Sequence, residues 1–347
     1  CILALTPFMT EPVWALAVAV IGGGVLQLGT QLAALKRLGV FPKMTSPAAA
    51  LRDSKVRQTL KLMLPAVVGV SVAPLSILIN TNIASRLSDG AVTWLSYADR
   101  LMEFPTAMLG VALGTVLLPS LASAFNRGEL ERYNGLLDRG LRLVVLLAVP
   151  AAVGLWFCAE LLAAVLFQGK NFTATDVLQT SVAIEGYAAG LLGLIGIKII
   201  APAFYARKDI KTPVKAALAS VVFVQTCNLV TVPQFAHAGL ALSVALGACF
   251  NALVLLSVLL KRGWFKPLSG WGLYFGRTAL AAAAMGAVLW WIGLQFDWAA
   301  MQVVWGRRLL LAALVIGAAA VTYFAVMAVF GWRAQELRSA VAERHKK

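Results

Sequence analysis

Residues 238–260 read AGLALSVALGACFNALVLLSVLL, a run without a single charged side chain. Lys261 and Arg262 follow it directly. A helix that crosses the hydrocarbon core of a bilayer needs about 20 mostly apolar residues. The run therefore predicts a membrane-spanning helix that ends at basic residues near the membrane surface.

The composition of the whole chain also indicates a membrane protein. Of its 347 residues, 60% are hydrophobic and 13% are charged, whereas about 25% of the residues in a soluble domain are charged. The net charge of +15 is typical of nucleic-acid-binding proteins. However, the basic residues stand in short clusters between apolar runs, as they do in the loops of membrane proteins. We therefore expect no nucleic-acid partner.

Nine apolar segments predict an all-α, polytopic membrane protein with nine full transmembrane helices. Several segments are longer than a bilayer requires, so those helices are expected to tilt, bend or extend into water. The segment Cys1–Pro7 is too short to span and is interpreted as the tail of a preceding helix, which would make the sequence part of a longer chain. The predicted spans are Val13–Leu35, Val56–Leu87, Ala91–Phe125, Glu131–Phe167, Ala174–Tyr205, Pro213–Pro233, Ala238–Leu260, Trp271–Leu294 and Arg308–Phe330.

Local signals predict where several of these helices begin and end. Thr212 stands directly before a proline, a pattern typical of a helix N-cap. Thr173 has Asp176 three residues further on, which predicts a capped helix start with an acid in its first turn. Gly263 follows two basic residues and predicts a helix end.

Basic residues are unevenly distributed between alternate loops. Of 30 Lys and Arg, 24 fall in one set of loops, in the span ends next to those loops or in the C-terminal tail, and four fall in or next to the other set. The remaining two, Arg100 and Lys198, lie deeper inside predicted spans. Because cytoplasmic loops carry an excess of Lys and Arg, the sequence predicts a cytoplasmic C-terminus and a cytoplasmic loop between the first two spans.

Six charged side chains are predicted at membrane depth. A charge at the centre of a membrane helix costs about 2.5–3.5 kcal/mol on insertion scales, so it is expected to face a partner or a wet cavity. The densest group lies in Tyr97–Pro105, where Asp99 and Glu103 share a helix face and Arg100 and Glu103 have the spacing of an ion pair. The six residues are Asp99, Arg100, Glu103, Glu160, Glu185 and Lys198.

The residues alone leave two interpretations of these charges open. Arg100 either forms an internal ion pair that fixes helix packing or presents a cationic site to a water-filled cavity. Lys198 either extends towards the cytoplasm, pairs with a carboxylate such as Glu185, or lines the same cavity with it.

The sequence shows no catalytic triad, metal-ligand cluster or nucleotide-binding signature, so we expect no enzyme, no cofactor and no metal.

Three motifs resemble a known family. They are SYADRLMEFP at residues 96–105 with LGVALGT at 109–115 and LPS at 118–120, APAFYARKDIKTP at 201–213, and HAGLALS at 237–243. With these motifs the chain is similar, over its whole length, to the C-terminal two-thirds of the bacterial lipid II flippase family (MurJ, formerly MviN). This family is part of the multidrug/oligosaccharidyl-lipid/polysaccharide exporter superfamily.

The resemblance implies an exporter-superfamily helical bundle in three parts. Residues 1–55 would be the end of the first lobe, with the tail of one helix, one full helix and a cytoplasmic linker. Residues 56–262 would form a second lobe of six transmembrane helices. Residues 263–347 would form two additional helices, which in the family border a groove for a lipid tail, and a basic cytoplasmic tail. Most of the first lobe, which carries further cavity arginines in the family, would be absent.

The resemblance also implies a function. Family members are expected to move lipid II, a polyprenyl-diphosphate-linked sugar-peptide, from the inner to the outer leaflet of the bacterial cytoplasmic (inner) membrane by alternating access. Arg100 matches a cavity arginine of the family, and a guanidinium suits phosphate oxygens. The other expected substrate-site residues are Asp99, Glu103, Glu185 and Lys198. Membrane lipids are the further expected partners.

Energy coupling and three alternatives stay open at this point. Some family members have a sodium site with carboxylates on two helices, but Asn80 and Asn228 on the matching helices are neutral here. This argues against sodium coupling and leaves the membrane potential or protons as the energy source.

Three alternatives to lipid II transport stay open. They are a flippase for another polyprenyl-linked oligosaccharide, a membrane-embedded glycosyltransferase, and a non-transporting scaffold whose cavity charges are dispensable. The basic, acid-poor loops disfavour the glycosyltransferase.

Overall fold

The computed structural model describes residues 12–39, 46, 51–296, 298 and 305–331. Within these ranges the regular elements are helices, so the all-α prediction is confirmed. The predictions for the segment before residue 12 and for the basic tail after residue 331 lie outside the described residues. The chain divides into two compact units, residues 1–62 and residues 63–347. The predicted three-part division stays a prediction.

The helices follow the predicted spans closely, and each predicted span falls on one helix or on two successive helices. A π-helical segment, Thr106–Val111, joins the third helix to the fourth. In chain order the helices are α1 Pro12–Arg37, α2 Ser54–Ala84, α3 Ala91–Pro105, α4 Ala112–Asn126, α5 Leu130–Phe157, α6 Ala159–Phe167, α7 Ala174–Ala188, α8 Leu191–Ala206, α9 Lys211–Lys261, α10 Trp271–Gly293 and α11 Trp305–Val329.

Several helices are bent or broken within the unit that begins at residue 63. The pair α7 and α8 is bent by 44°. Two predicted spans join in α9, whose backbone breaks at Ala236 (φ 49°, ψ −126°). Across this break the Thr231 hydroxyl lies 2.7 Å from the Ser243 hydroxyl, so the two halves of α9 lie side by side.

The number of spans that length and composition support is smaller than predicted. Six helical stretches among the described residues are long and apolar enough to cross a membrane, and a seventh results if the bent pair α7–α8 is one span. This count takes all of α9 as one stretch although its backbone breaks at Ala236. The predicted total of nine therefore stays a prediction.

Aromatic and ionic contacts join several loops at one end of this unit, which we call the basic end. The Arg207 guanidinium lies 4.9 Å from the ring centroid of Phe125 and 4.6 Å from that of Trp264. Arg262 forms an ion pair of 2.6 Å with Asp209. These contacts join the end of α4, the connection from α8 to α9, and the loop that follows α9.

A different set of residues joins the helix ends farthest from the basic end. The indole nitrogen of Trp94 donates a hydrogen bond of 2.8 Å to Asp176. The Trp94 ring also lies 5.1 Å from the imidazole of His237, whose Nε2 is 2.9 Å from the carbonyl oxygen of Gln179. The two sets of loops that the basic residues distinguished therefore lie at opposite ends of this unit. Which end faces the cytoplasm stays a prediction.

Two of the three predicted helix boundaries are confirmed. Thr173 and Asp176 form a capping box, in which the Thr173 backbone N–H donates to the Asp176 carboxylate at 2.7 Å. Gly263 adopts a positive φ of 64° just after α9, a conformation that favours glycine. The backbone N–H of the next residue, Trp264, bonds back to the carbonyl oxygen of Leu259 and closes the helix end.

The third boundary prediction is wrong, because Thr212 is not an N-cap. The helix α9 begins one residue earlier, at Lys211. The cause is the Asp209 carboxylate, which accepts hydrogen bonds from both the backbone N–H (3.0 Å) and the hydroxyl (2.6 Å) of Thr212. Burial of Asp209 opposes its ionisation, but these bonds and the Arg262 guanidinium outweigh it and hold the pKa of this carboxyl below its usual range.

Glycines allow the helices to approach one another closely. A Cβ atom at Gly190 would overlap the backbone of Ala245 on α9, and one at Gly193 would lie 2.6 Å from the backbone nitrogen of Cys249. These glycines thus allow α7 and α8 to pack closely against the second half of α9.

Candidate functional site

Arg100 lies on α3, where its side chain and those of Asp99 and Glu103 are exposed. The ion pairs among the described residues are formed by other arginines, and all their N–O distances are 4.0 Å or less. The pair between Arg100 and Glu103 that the spacing allows is therefore not formed. The Arg100 guanidinium remains available to another partner.

A cavity of about 690 Å³ lies beside Arg100, a volume within the usual range of about 300–1,000 Å³ for ligand pockets. Its walls come from α3, α5, α6 and the two C-terminal helices. Sequence reasoning expected a water-filled chamber at this position, but Arg100 is the one charged side chain among the described residues that line the cavity. Its apolar walls include Phe104, Leu155, Leu162, Met285, Ile316 and Phe324.

The helix that carries Arg100 changes its winding just after the cavity. Pro105 ends α3, and the following segment is π-helical. Proline has no N–H to donate to the helix ladder. The hydroxyl of the next residue, Thr106, adds a bond of 2.6 Å to the carbonyl oxygen of Met102. π-helical turns occur often at functional sites. Here the π-helical segment directly follows the helix on which Arg100 meets the cavity.

Lys198 on α8 lies against this π-helical segment. Its methylene groups occupy the space that a Cβ atom at Gly110 would need, and its carbonyl oxygen would lie 3.2 Å from a Cβ at Gly114. These two glycines therefore leave room for Lys198. Their spacing in the sequence does not reveal this neighbour. The lysine side chain is half-buried.

Glu185 lies on α7 and is half-buried. It is close enough to Glu160, at the start of α6, for the two negative charges to repel each other. No ion pair between Glu185 and Lys198 is found in the part of the chain that the structure describes. The three charges of α3 therefore lie together on one helix. The charged neighbour of Glu185 is a second acid, Glu160.

Comparison with known proteins assigns the chain to a family. The family model described as "Lipid II flippase MurJ" matches residues 1–307. The chain belongs to the lipid II flippase MurJ family. The resemblance deduced from the three sequence motifs is thus confirmed.

Two MurJ relatives show how far the similarity extends. The lipid II flippase MurJ of Burkholderia cenocepacia is 47% identical over 330 residues, which are 95% of this chain and 64% of that protein. The probable lipid II flippase MurJ of Haemophilus influenzae is 38% identical, and the matched region covers 91% of this chain and 64% of that protein. The chain therefore spans just under two-thirds of the length of these relatives.

A solved MurJ structure shares the fold. The structure titled "Lipid II flippase MurJ, inward closed conformation" has a TM-score of 0.62 and 21% sequence identity, over 77% of this chain and 54% of that one. Together with the helices described above, this likeness confirms the predicted helical bundle of the exporter type.

Neutral amides lie on the helices where the resemblance places sodium ligands in some MurJ proteins. The Asn80 side-chain oxygen on α2 accepts hydrogen bonds from the amides of Asn228 at 3.0 Å and Gln225 at 3.3 Å, both on α9. These bonds join two helices through uncharged groups. Sodium coupling therefore stays unexpected for this MurJ chain.

The MurJ chain also contains a buried polar cluster that sequence reasoning missed. Asp138 lies inside α5 and is only 1% exposed. Its carboxylate accepts hydrogen bonds from the Leu268 backbone N–H at 3.0 Å and the Trp271 indole at 2.7 Å. It also accepts one of 2.8 Å from Arg142.

Arg142, which had been counted with the loop residues, is bound on several sides. Besides Asp138, its guanidinium donates to the carbonyl oxygen of Ser269 at 2.9 Å and lies over the rings of Trp271 and Tyr274, 5.1 and 5.5 Å from their centroids. The i, i+4 spacing of Asp138 and Arg142 was visible in the sequence. Their partners, however, lie about 130 residues away along the chain, so the sequence did not reveal the cluster.

Proposed function

We propose that the complete protein is a transporter that moves lipid II from the inner to the outer leaflet of the bacterial inner membrane by alternating access. The observation that carries this proposal is Arg100, an arginine that lines an apolar cavity and forms no ion pair with a carboxylate among the described residues. Membership of the MurJ family supports the choice of substrate. The proposal includes the predicted orientation, with a cytoplasmic C-terminus.

The head of lipid II suits the charged face of α3. A guanidinium donates paired hydrogen bonds to phosphate oxygens and keeps its proton at any physiological pH. Three charges facing lipid would each cost about 2.5–3.5 kcal/mol, so this exposed face needs a polar or wet neighbour. In our proposal Arg100 binds the diphosphate, while Asp99 and Glu103 accept hydrogen bonds from the sugar-peptide.

The tail of lipid II suits the apolar cavity. Arg100 is one of its lining residues, and the other walls are hydrocarbon from α3, α5, α6, α10 and α11. A molecule with an anionic head and a long prenyl chain matches both surfaces at once. In a membrane the tail gains little from leaving lipid, so shape and packing in the cavity provide the preference for it.

We include Lys198 and Glu185 as further residues of the translocation path. The stem of Lys198 packs on Gly110, next to the π-helical segment that follows the Arg100 helix. Its ammonium offers a second cation to the diphosphate as the substrate moves. Glu185 on α7, with its neighbour Glu160 on α6, adds acidic groups to the path.

A flippase for another polyprenyl-linked oligosaccharide is the second candidate, because Arg100 and the cavity match only the diphosphate and the tail. Depletion of the complete protein in cells distinguishes the two candidates. We expect lipid II to accumulate on the inner leaflet. Accumulation of a different polyprenyl-linked sugar would favour the second candidate, and unchanged export of both would contradict transport altogether.

A further inference from the structure

We infer that Asp138 is a positioning residue for the lipid tail of the substrate. It binds the loop before α10 and thereby holds α10 and α11 against α5, which sets the width of the cavity beside Arg100. The inference rests on the proposed function, since it assigns the cavity to a prenyl chain.

The helix α5 carries both the attachment of the C-terminal helices and part of the cavity wall, at successive positions along its length. Residues spaced by four follow one another on a ridge of an α-helix, each about 6 Å beyond the last, and this ridge winds around the helix by about 40° per step. The first four residues of this row bond the C-terminal part of the chain, and the last three line the cavity. The row consists of Asn134, Asp138, Arg142, Leu146, Pro150, Gly154 and Cys158.

The attachment begins at the loop that connects α9 to α10. The Asn134 amide donates to the carbonyl oxygen of Lys266 at 2.8 Å and accepts from the N–H of the same residue at 2.7 Å. Asp138 binds the next part of the loop at Leu268 and the first residue of α10, Trp271. The loop therefore cannot move along α5 without losing all of these bonds.

The attachment continues further along α5 and reaches the cavity itself. The hydroxyl of Tyr323 on α11 donates to the carbonyl oxygen of Leu146 at 2.9 Å, and Tyr323 is also a cavity-lining residue. Gly154 lies on the same row, and a Cβ atom there would lie 3.4 Å from Met285 on α10. Both C-terminal helices thus contact α5, α11 at Leu146 and α10 at Gly154, which is part of the cavity wall.

Asp138 is the central residue of this attachment because it is buried and has three donors. Removing its carboxylate would leave the Leu268 N–H and the Trp271 indole without acceptors, and would leave the Arg142 charge without its counterion. Each loss favours separation of the loop from α5. The expected result is a wider or misaligned cavity, with no change at Arg100.

The test measures binding of two ligands by the purified complete protein in the same lipid environment. One ligand is lipid II with its full undecaprenyl tail, and the other carries the same head on a short prenyl tail. The variants are Asp138→Asn, which keeps a side-chain oxygen but loses the charge, and the milder Trp271→Phe, which keeps the ring and loses one donor. The control is Glu129→Gln, at an exposed acid before α5 whose ion pair is formed with Arg132 and not with the loop.

We expect Asp138→Asn to lose about tenfold in the preference for the long tail, a free energy equivalent to roughly ten close atom pairs, and Trp271→Phe to lose less. Binding of the short-tailed ligand should stay unchanged in both variants. The control should behave as the unmodified protein. An unchanged tail preference in both folded variants, or an equal loss of both ligands, would overturn the inference. If the unmodified protein binds neither ligand, the proposed function fails instead.

Discussion

Two arginines on neighbouring helices show how differently this membrane bundle uses the same side chain. Arg142 bonds Asp138 and a carbonyl oxygen and lies over two aromatic rings. Arg100 forms no ion pair with any described residue and lines an apolar cavity. The comparison teaches that a guanidinium bound by its own protein fixes structure, whereas one without a protein partner is available to a ligand.

The physical reason for this difference is desolvation. The Asp138 side chain is 2% exposed and the Arg142 side chain 25%, so each needs the other to offset the cost of leaving water. The side chain of Arg100 is exposed, so it does not depend on a fixed internal partner. Mutation of the two arginines should therefore affect different properties.

Replacing Arg100 should produce the largest effect, and the effect should be on transport. Truncating one partner of a desolvated charge pair costs about 2–5 kcal/mol, which predicts a fall in lipid II export by Arg100→Ala of about thirtyfold or more. Arg100→Glu should be worse because it repels the diphosphate. Lipid II reaching the outer leaflet is the measurement, with the thermal midpoint expected to stay unchanged.

The matched control for this prediction is Arg86→Ala, at an exposed arginine between α2 and α3. It should export lipid II normally. Normal export by a well-expressed Arg100→Ala protein would remove Arg100 from the substrate site and would favour the scaffold alternative.

Replacing Arg142 should produce the opposite pattern. The variant Arg142→Ala leaves the buried Asp138 carboxylate without its counterion, which predicts a loss of about 3–5 kcal/mol in the free energy of unfolding. Thermal unfolding in detergent measures this loss. Arg139→Ala is the control, because Arg139 is exposed on the same helix and should change stability little. A stable Arg142→Ala protein would contradict the assignment of Arg142 to structure.

Two glycines extend the same contrast with smaller effects. Gly190→Ala places a methyl group on the Ala245 backbone, which cannot yield, so we expect a loss of about 1–3 kcal/mol in stability. In Gly110→Ala the added methyl group meets only the flexible side chain of Lys198. We therefore expect this variant to lower lipid II export while it lowers the free energy of unfolding little. Gly196→Ala, whose nearest neighbour would lie at 3.8 Å, is the control for both measurements. Equal effects of Gly110→Ala and Gly196→Ala on export would contradict a role for Lys198.

The smallest effect is expected at a third arginine, Arg262, whose pair with Asp209 is partly exposed. Asp209→Asn should lower stability by only about 0.2–1 kcal/mol near neutral pH. Since the folded protein lowers the pKa of Asp209, this contribution is present above the usual pKa of about 3.9 and is lost as the pH falls through the lower folded-state value. Thermal midpoints of both proteins across acidic pH should converge. A difference that grows as the pH falls would contradict this sign.

The sequence predicted the helices well because long apolar runs and local caps are properties of neighbouring residues. Thr173 and Gly263 illustrate this, since their partners lie within six residues. The sequence also predicted the two halves of α9 as separate spans, although the structure has a single helical element across the break. Candidate site residues on α3 could be proposed because charges stand out in an apolar span.

The remaining features could not be predicted because they depend on distant residues. The burial of Asp138 could not be predicted, since nothing near it in the sequence reveals the Trp271 indole that binds it. The neighbour of Gly110 could not be predicted either, since Lys198 lies on another helix. The apolar character of the cavity beside Arg100 likewise arises from α5, α10 and α11, which meet α3 only in the folded chain.

The most direct test of the central claim is a binding measurement with a polyprenyl diphosphate and the uncharged polyprenol of the same chain length. Both are titrated against the complete protein and its Arg100→Ala variant. The account predicts that the unmodified protein prefers the diphosphate and that the variant binds both ligands equally, through the tail alone. A preference for the diphosphate that persists undiminished in the Arg100→Ala protein would contradict the account.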